Sequence, residues 1–120
     1  MSDLQTAESY LWFALTCSLQ GKGDTAFYFA TSAASCMQGT KLESVFDTFA
    51  HYLRTRSEVW CSGTLSAYEC RHLNNNLYLA LGAVTAACAN WRENPEGINE
   101  KATCDFLNEI ISVDKRYKQS

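Results

Sequence analysis

Apolar residues recur three or four apart in almost every segment of this chain. The clearest run is Cys70, Leu73, Leu77, Leu81, Val84, Cys88 and Trp91. Each residue of an α-helix turns the chain by about 100°, so this spacing puts all seven on one face. The stripe keeps its phase through Asn74, Asn75 and Asn76, which are poor helix formers. A loop would have scrambled that phase. The pattern therefore predicts one long helix from about Leu65 to Arg92, capped by Thr64 or Ser66, with a break at the asparagines as the alternative.

Comparable stripes predict four more helices. The first spans about Asp3 to Gln20. Ser2 and Gln5 have capping-box spacing at its start. Leu4, Ala7, Leu11, Ala14 or Leu15, and Ser18 make one stripe; Tyr10, Phe13 and Cys17 make a second. Two stripes imply apolar neighbours on more than one side. Gly21 and Gly23 supply the stop. The second helix takes Asp24 as its N-cap and ends before Gly39. Its consecutive Phe27, Tyr28 and Phe29 point in three directions, and Ala30, Ala33 and Ala34 admit a close neighbour.

The third helix opens at a Thr40–Glu43 capping box and stops at Gly63. Leu42, Val45, Phe46, Phe49, Leu53 and Trp60 form its apolar face, with Asp47, His51, Arg54 and Glu58 opposite. Asn94 to Gly97 is a loop holding the single proline, Pro95. Asn99 caps a last helix that reaches about Arg116, with Thr103, Phe106, Ile110, Val113 and Tyr117 inward. Lys115, Arg116 and Lys118 suit the negative end of its dipole. No run reads as a strand. The expected architecture is all-α, a compact single-domain bundle of about five helices over residues 1–120.

One local likeness lies within this pattern. Ala7 to Cys36 carries Trp12-Phe13-Ala14-Leu15 before Gly21, followed by an alanine-rich helix. It resembles a single Sel1-like or tetratricopeptide-like hairpin over about a quarter of the chain. Such repeats stack in sets of about three or more. No second copy is visible.

Composition sharpens the picture. Apolar residues make up 47% of the 120 residues and charged residues 19%, with three Trp, six Tyr and six Phe. That composition belongs to a folded chain rather than a disordered one. The net charge is −3, and residues 1–50 carry all of it, with five acids against two bases. No basic footprint points to nucleic acid. A mildly acidic surface suits a basic protein, because complementary charge speeds encounter. The N-terminus lacks a basic region and a cleavage site, and no apolar run spans a bilayer, so neither secretion nor membrane insertion is expected. The expected location is cytoplasmic. In that reducing setting Cys17, Cys36, Cys61, Cys70, Cys88 and Cys104 read as free core thiols, with no metal-ligand spacing among them. Disulfides would require that a secretion signal had been removed.

The pattern holds little chemistry. His51 falls on the polar face one turn from Asp47, which reads as a surface pair. His72 follows Cys70 by two residues, which sends the two to different sides of a helix. No glycine-rich phosphate loop or Glu-x-x-His pair appears. Neither an enzyme nor a cofactor is expected. Arg56 is the odd charge, in phase with Phe49, Leu53 and Trp60. It reads as a snorkelling arginine at the bundle edge, or as a buried or interface ion pair.

Tyr10, Trp12, Phe13, Phe27, Tyr28 and Phe29 fall within twenty residues and point in more directions than one core easily accepts, so they read either as a crowded core between the first two helices or as an aromatic patch for a partner. On the second reading the chain is a protein-binding module, foremost a stoichiometric inhibitor of the immunity-protein or phage-antagonist kind. Trp12, Phe13 and Tyr28 are its candidate anchors. Asp3, Glu8, Asp24, Glu43 and Asp47 are its steering acids. A second copy of the chain is the other taker for such a face. The alternatives are a helical-repeat-like adaptor or assembly subunit, and an enzyme whose site is assembled from distant Cys and His.

Overall fold

The computed structural model describes residues 3–118. Its five helices are α1 (Asp3–Leu19), α2 (Gly23–Cys36), α3 (Leu42–Cys61), α4 (Ala67–Glu93) and α5 (Glu100–Lys115), and among the described residues there is no strand. The all-α bundle expected from the periodicity is what forms. Ser2, half of the expected first capping box, lies outside the described residues.

Helix ends follow local chemistry with two shifts. Gly21, at φ +78°, closes α1 in a Schellman turn: Lys22 N–H donates to Cys17 O at 2.8 Å and Gly21 N–H to Ser18 O at 3.1 Å. The expected Asp24 cap is not made. Gly23 is the first residue of α2, Lys22 holds the N-cap position without a side-chain bond, and Asp24 sits in the first turn. The Thr40–Glu43 box is also displaced. Thr40 Oγ1 accepts from Leu42 N–H at 3.2 Å, while Glu43 reaches back to Gly39 N–H rather than to Thr40. At α4 the full box does form, with Glu69 N–H donating to Ser66 Oγ at 3.1 Å and Ser66 N–H to Glu69 Oε1 at 2.9 Å. Asn99 Oδ1 caps α5 through Ala102 N–H.

α3 is the hub of the core and packs against α2, α4 and α5. Its buried residues run from Leu42 through Phe46, Phe49, Tyr52 and Leu53 to Val59. The strip of Asp47, His51, Arg54 and Glu58 faces water, as the pattern predicts. Trp60 departs from expectation. It is in phase with the buried face, yet it sits in the last turn of α3 and is 38% exposed. α1 and α2 pack as a hairpin, with the Asp3 carboxylate at the start of α1 acting on the Cys36 thiol at the end of α2. Four small buried residues on α2, Ala26, Ala30, Ala33 and Ala34, let its neighbours close in.

α4 is unbroken. Its 27 residues span about 40 Å, which accounts for most of the molecule's 43 Å length. Leu73, Leu77, Leu81, Val84 and Cys88 are buried along it, and each fully buried Leu contributes about 1.5–3 kcal/mol. The asparagines survive in mid-helix because two of them have work inside. Asn74 Oδ1 accepts from Arg56 Nη2 at 2.7 Å, and Asn76 Nδ2 donates to Asp114 Oδ1 at 2.7 Å. Asn75 alone faces solvent.

α5 is turned relative to expectation. Leu107, Ile110, Ile111 and Asp114 are buried, whereas Phe106 is 40% exposed and Val113 only half-buried. An aspartate occupies the inner seam because Asn76 meets it there. The cysteines also sit nearer the surface than core thiols should. All six are free, but only Cys88 is fully buried, and Cys61 is exposed. Among the described residues, no helix is long and apolar enough to cross a membrane.

Candidate functional site

Two features stand out on this scaffold, an aromatic face and a cleft. The aromatic face lies on the α1–α2 hairpin. Phe29 is its half-buried centre, with ring centroids 5.9 Å from Tyr10, 5.4 Å from Phe13 and 5.6 Å from Tyr28. Phe13 is 55% exposed and Tyr28 63% exposed. Helix geometry explains the grouping. Positions 10 and 13 lie one turn apart on α1, and the flank of α2 that faces them carries position 29. The three aromatics of α2 do point three ways. Phe29 turns to α1, Phe27 turns to α3 where the Arg54 guanidinium lies 3.9 Å over its ring, and Tyr28 turns outward.

Trp12 is not part of this group. One residue from Phe13, it is rotated by about 100° onto the flank of α1 that carries Glu8, and it is exposed there. Glu8 itself is ion-paired with Arg92 of α4. The five steering acids likewise do not form one patch. Asp3 acts on Cys36, and Glu43 acts on Asp47, so these three acids lie near the end where α1 begins and α3 begins. Partial burial, then Glu43, holds the Asp47 carboxyl above its usual range. Asp24 lies at the opposite end, at the start of α2.

The cleft is the feature that sequence reading did not assemble. About 120 Å³ in size, it is lined by Arg56, Ser57 and Trp60 of α3, Ser18 at the end of α1, Gly21 of the turn, Gly23 at the start of α2, and Asn74 of α4. Gly23 is required here by close approach, since a Cβ would lie 2.0 Å from Ser57 Oγ. Arg56 is 4% exposed. It donates through Nε to Ser18 Oγ at 3.2 Å, through Nη1 to Leu73 O at 3.0 Å and through Nη2 to Asn74 Oδ1. Trp60 lies over its guanidinium, with 4.9 Å to the ring centroid. It is therefore no snorkelling residue. It is a buried cation tying α1, α3 and α4 together, and among the described residues no carboxylate lies within ion-pair distance of it.

Behind Arg56 lies a small buried polar group. The Tyr52 hydroxyl meets no partner at hydrogen-bonding geometry, and neither does Asp114 Oδ2. Burial drives the Tyr52 phenol well up, Asp114 adds to this, and Arg56 pulls it part of the way back. Burial likewise raises the Asp114 carboxyl, against the pull of Asn76, Arg56 and His72. The two histidines lie on different elements. His51 is exposed on the outer strip, and His72 shares a hydrogen bond with the Tyr117 hydroxyl and stacks on Tyr68 at 5.9 Å. Among the described residues no three His, Cys, Asp or Glu gather as a metal site.

Comparison of the chain with protein-family models, with curated proteins and with solved structures returned no match.

Proposed function

We propose that this chain is a protein-binding module that acts by stoichiometric association, with the outer face of the α1–α2 hairpin as its contact surface. The observation that supports this reading is the exposure of Phe13 and Tyr28 around the Tyr10–Phe29 stack. Aromatic side chains supply large rigid area at low entropic cost and are enriched at the centres of interfaces. With Glu8 paired to Arg92, the hairpin keeps Asp3 and Asp24 at its two ends against the single base Lys22, so the suited partner is a basic protein. An arginine of that partner has a ready seat on these rings, as Arg54 has on Phe27. A stoichiometric inhibitor is the role that needs nothing beyond such a face.

Crosslinking tests the surface directly. A photo-reactive residue at Tyr28 should capture one discrete protein in the native host, while the same residue at Leu79, also more than half exposed on α4, should not. The purified pair should then bind one to one, and Tyr28→Ala should cost about 2 kcal/mol or roughly thirtyfold in Kd. Identical products from both positions would overturn the reading. Capture of this chain alone would make the face a homodimer interface instead.

A further inference from the structure

We propose that the cleft at Arg56 is a binding site for the oxyanion end, a phosphate or carboxylate group, of a small molecule. The site is separate from the aromatic face and does not depend on its role. Three observations converge on it.

The first is the charge. Arg56 is buried, and its three hydrogen bonds go to a serine hydroxyl, a main-chain carbonyl and an asparagine amide, all neutral. A guanidinium has five N–H donors, so its fork is not exhausted by these three. Asp114 acts on it only from beyond ion-pair distance. A cation removed from water and met by three neutral oxygens and the Trp60 ring, with no carboxylate among the described residues at ion-pair distance, is only partly compensated, and an anion entering the cleft supplies what is missing.

The second is the backbone. Gly21 and Gly23 bring the start of α2 to the cleft wall. The first intrahelical bond is Ala26 N–H to Lys22 O, so the N–H groups of Gly23, Asp24 and Thr25 have no acceptor within the helix, and no side chain caps them at Lys22. Helix N-termini present such groups to anions. The nearby carboxylates, Asp24 and Glu58, line an adjoining recess with Arg54; that recess shares Gly23 and Ser57 with the cleft, and neither carboxylate lines the cleft itself.

The third is the shape. Ser18 and Ser57 place rotatable hydroxyls beside Arg56, and the half-exposed Trp60 ring stands at the mouth. The 120 Å³ cleft is smaller than the roughly 300–1,000 Å³ of sites that engulf a whole ligand. An end group enters, and the organic remainder lies against Trp60.

The test uses the protein with Trp12→Phe and Trp91→Phe, which leaves Trp60 as the only indole. Inorganic phosphate and acetate are titrated separately at constant ionic strength, with chloride as the balancing ion. The expected result is a saturable change in Trp60 emission, with amide shifts at Gly21, Gly23 and Ser57 in the unsubstituted protein. Saturation by phosphate assigns a phosphoryl group, and saturation by acetate alone assigns a carboxylate. Arg56→Lys keeps the charge and loses the fork, so Kd should rise about tenfold or more. Should that variant not fold, Lys22→Glu at the exposed start of α2 should weaken binding severalfold. No saturation by either anion up to tens of millimolar would overturn the proposal. So would undiminished binding in whichever of these variants folds.

Discussion

Three consecutive asparagines give the sharpest test of how the interior is built. Replacing any of them by Ala in mid-helix gains roughly 0.6 kcal/mol in helix propensity. Asn75 faces solvent, so Asn75→Ala should realise that gain and stabilise the protein by about 0.5 kcal/mol. Asn74→Ala removes an acceptor 2.7 Å from the buried Arg56 guanidinium. A hydrogen bond to a charged group is worth about 1.5–3 kcal/mol, so the net loss should be about 1–2.5 kcal/mol. Asn76 is 7% exposed and donates to Asp114 Oδ1, while Oδ2 has no partner. Asn76→Ala strips the buried carboxyl of its donor, for a net loss of about 1–2.5 kcal/mol at neutral pH. Urea and thermal unfolding read all three. Each kcal/mol moves the Tm by about 3–6 °C in a domain of this size. If all three variants shift stability alike, the polar network across α3, α4 and α5 is not formed as described.

Three further outcomes follow from the same interior. Burial raises the Asp114 carboxyl, so its contribution to stability is fully present below the unfolded value of about 3.9 and is lost as pH rises through the folded one; Asp114→Asn should flatten stability against pH just above pH 4. Burial first, then Glu8, pushes the Cys88 thiol up to about 12 despite Arg92, so at pH 8 a thiol reagent should label exposed Cys61 first and Cys88 only on unfolding, as read by peptide mass. Leu77→Asp puts an unpaired charge at a fully buried site and should abolish the folded far-UV spectrum, while His51→Ala on the exposed strip should stay within about 0.5 kcal/mol of the parent.

Helix number and type were legible because each stripe is a local signal. The face of α3, from Asp47 to Glu58, follows directly from 3.6-residue spacing. So does the continuity of α4, whose phase outweighed three unfavourable propensities. Where reading failed, a single residue in contact decided the outcome. On α5 the sequence offers two seams about a third of a turn apart, one through Phe106 and Val113 and one through Leu107, Ile111 and Asp114. The second carries an aspartate and looks the worse choice. It becomes the inner one, where Asn76, 38 residues earlier, donates to one oxygen of that carboxyl. Capping failed in the same way. Asp24 and Thr40 are sound candidates by type, but Gly23 must lie against Ser57, and this fixes where α2 begins.

The cleft shows how far such a signal reaches. Arg56 is conspicuous in the sequence because a charge falls on an apolar stripe, and that anomaly marks the site. Its partners cannot be read from the stripe. Ser18, Leu73 and Asn74 lie 38, 17 and 18 residues away, and each is unremarkable where it stands. Hydrophobic period fixes the face of a helix to within a residue or so. A site built from residues on three helices depends on their mutual rotation, which the period leaves free. The aromatic face is a milder case. Excess aromatics are visible in composition, but only the packing of α1 on α2 separates Phe13 and Tyr28, which flank one ring, from Trp12, which does not. A Trp12→Ala variant that lost binding as severely as Tyr28→Ala would therefore mean that the contact surface extends around α1 toward the Glu8–Arg92 pair, well beyond the cluster centred on Phe29.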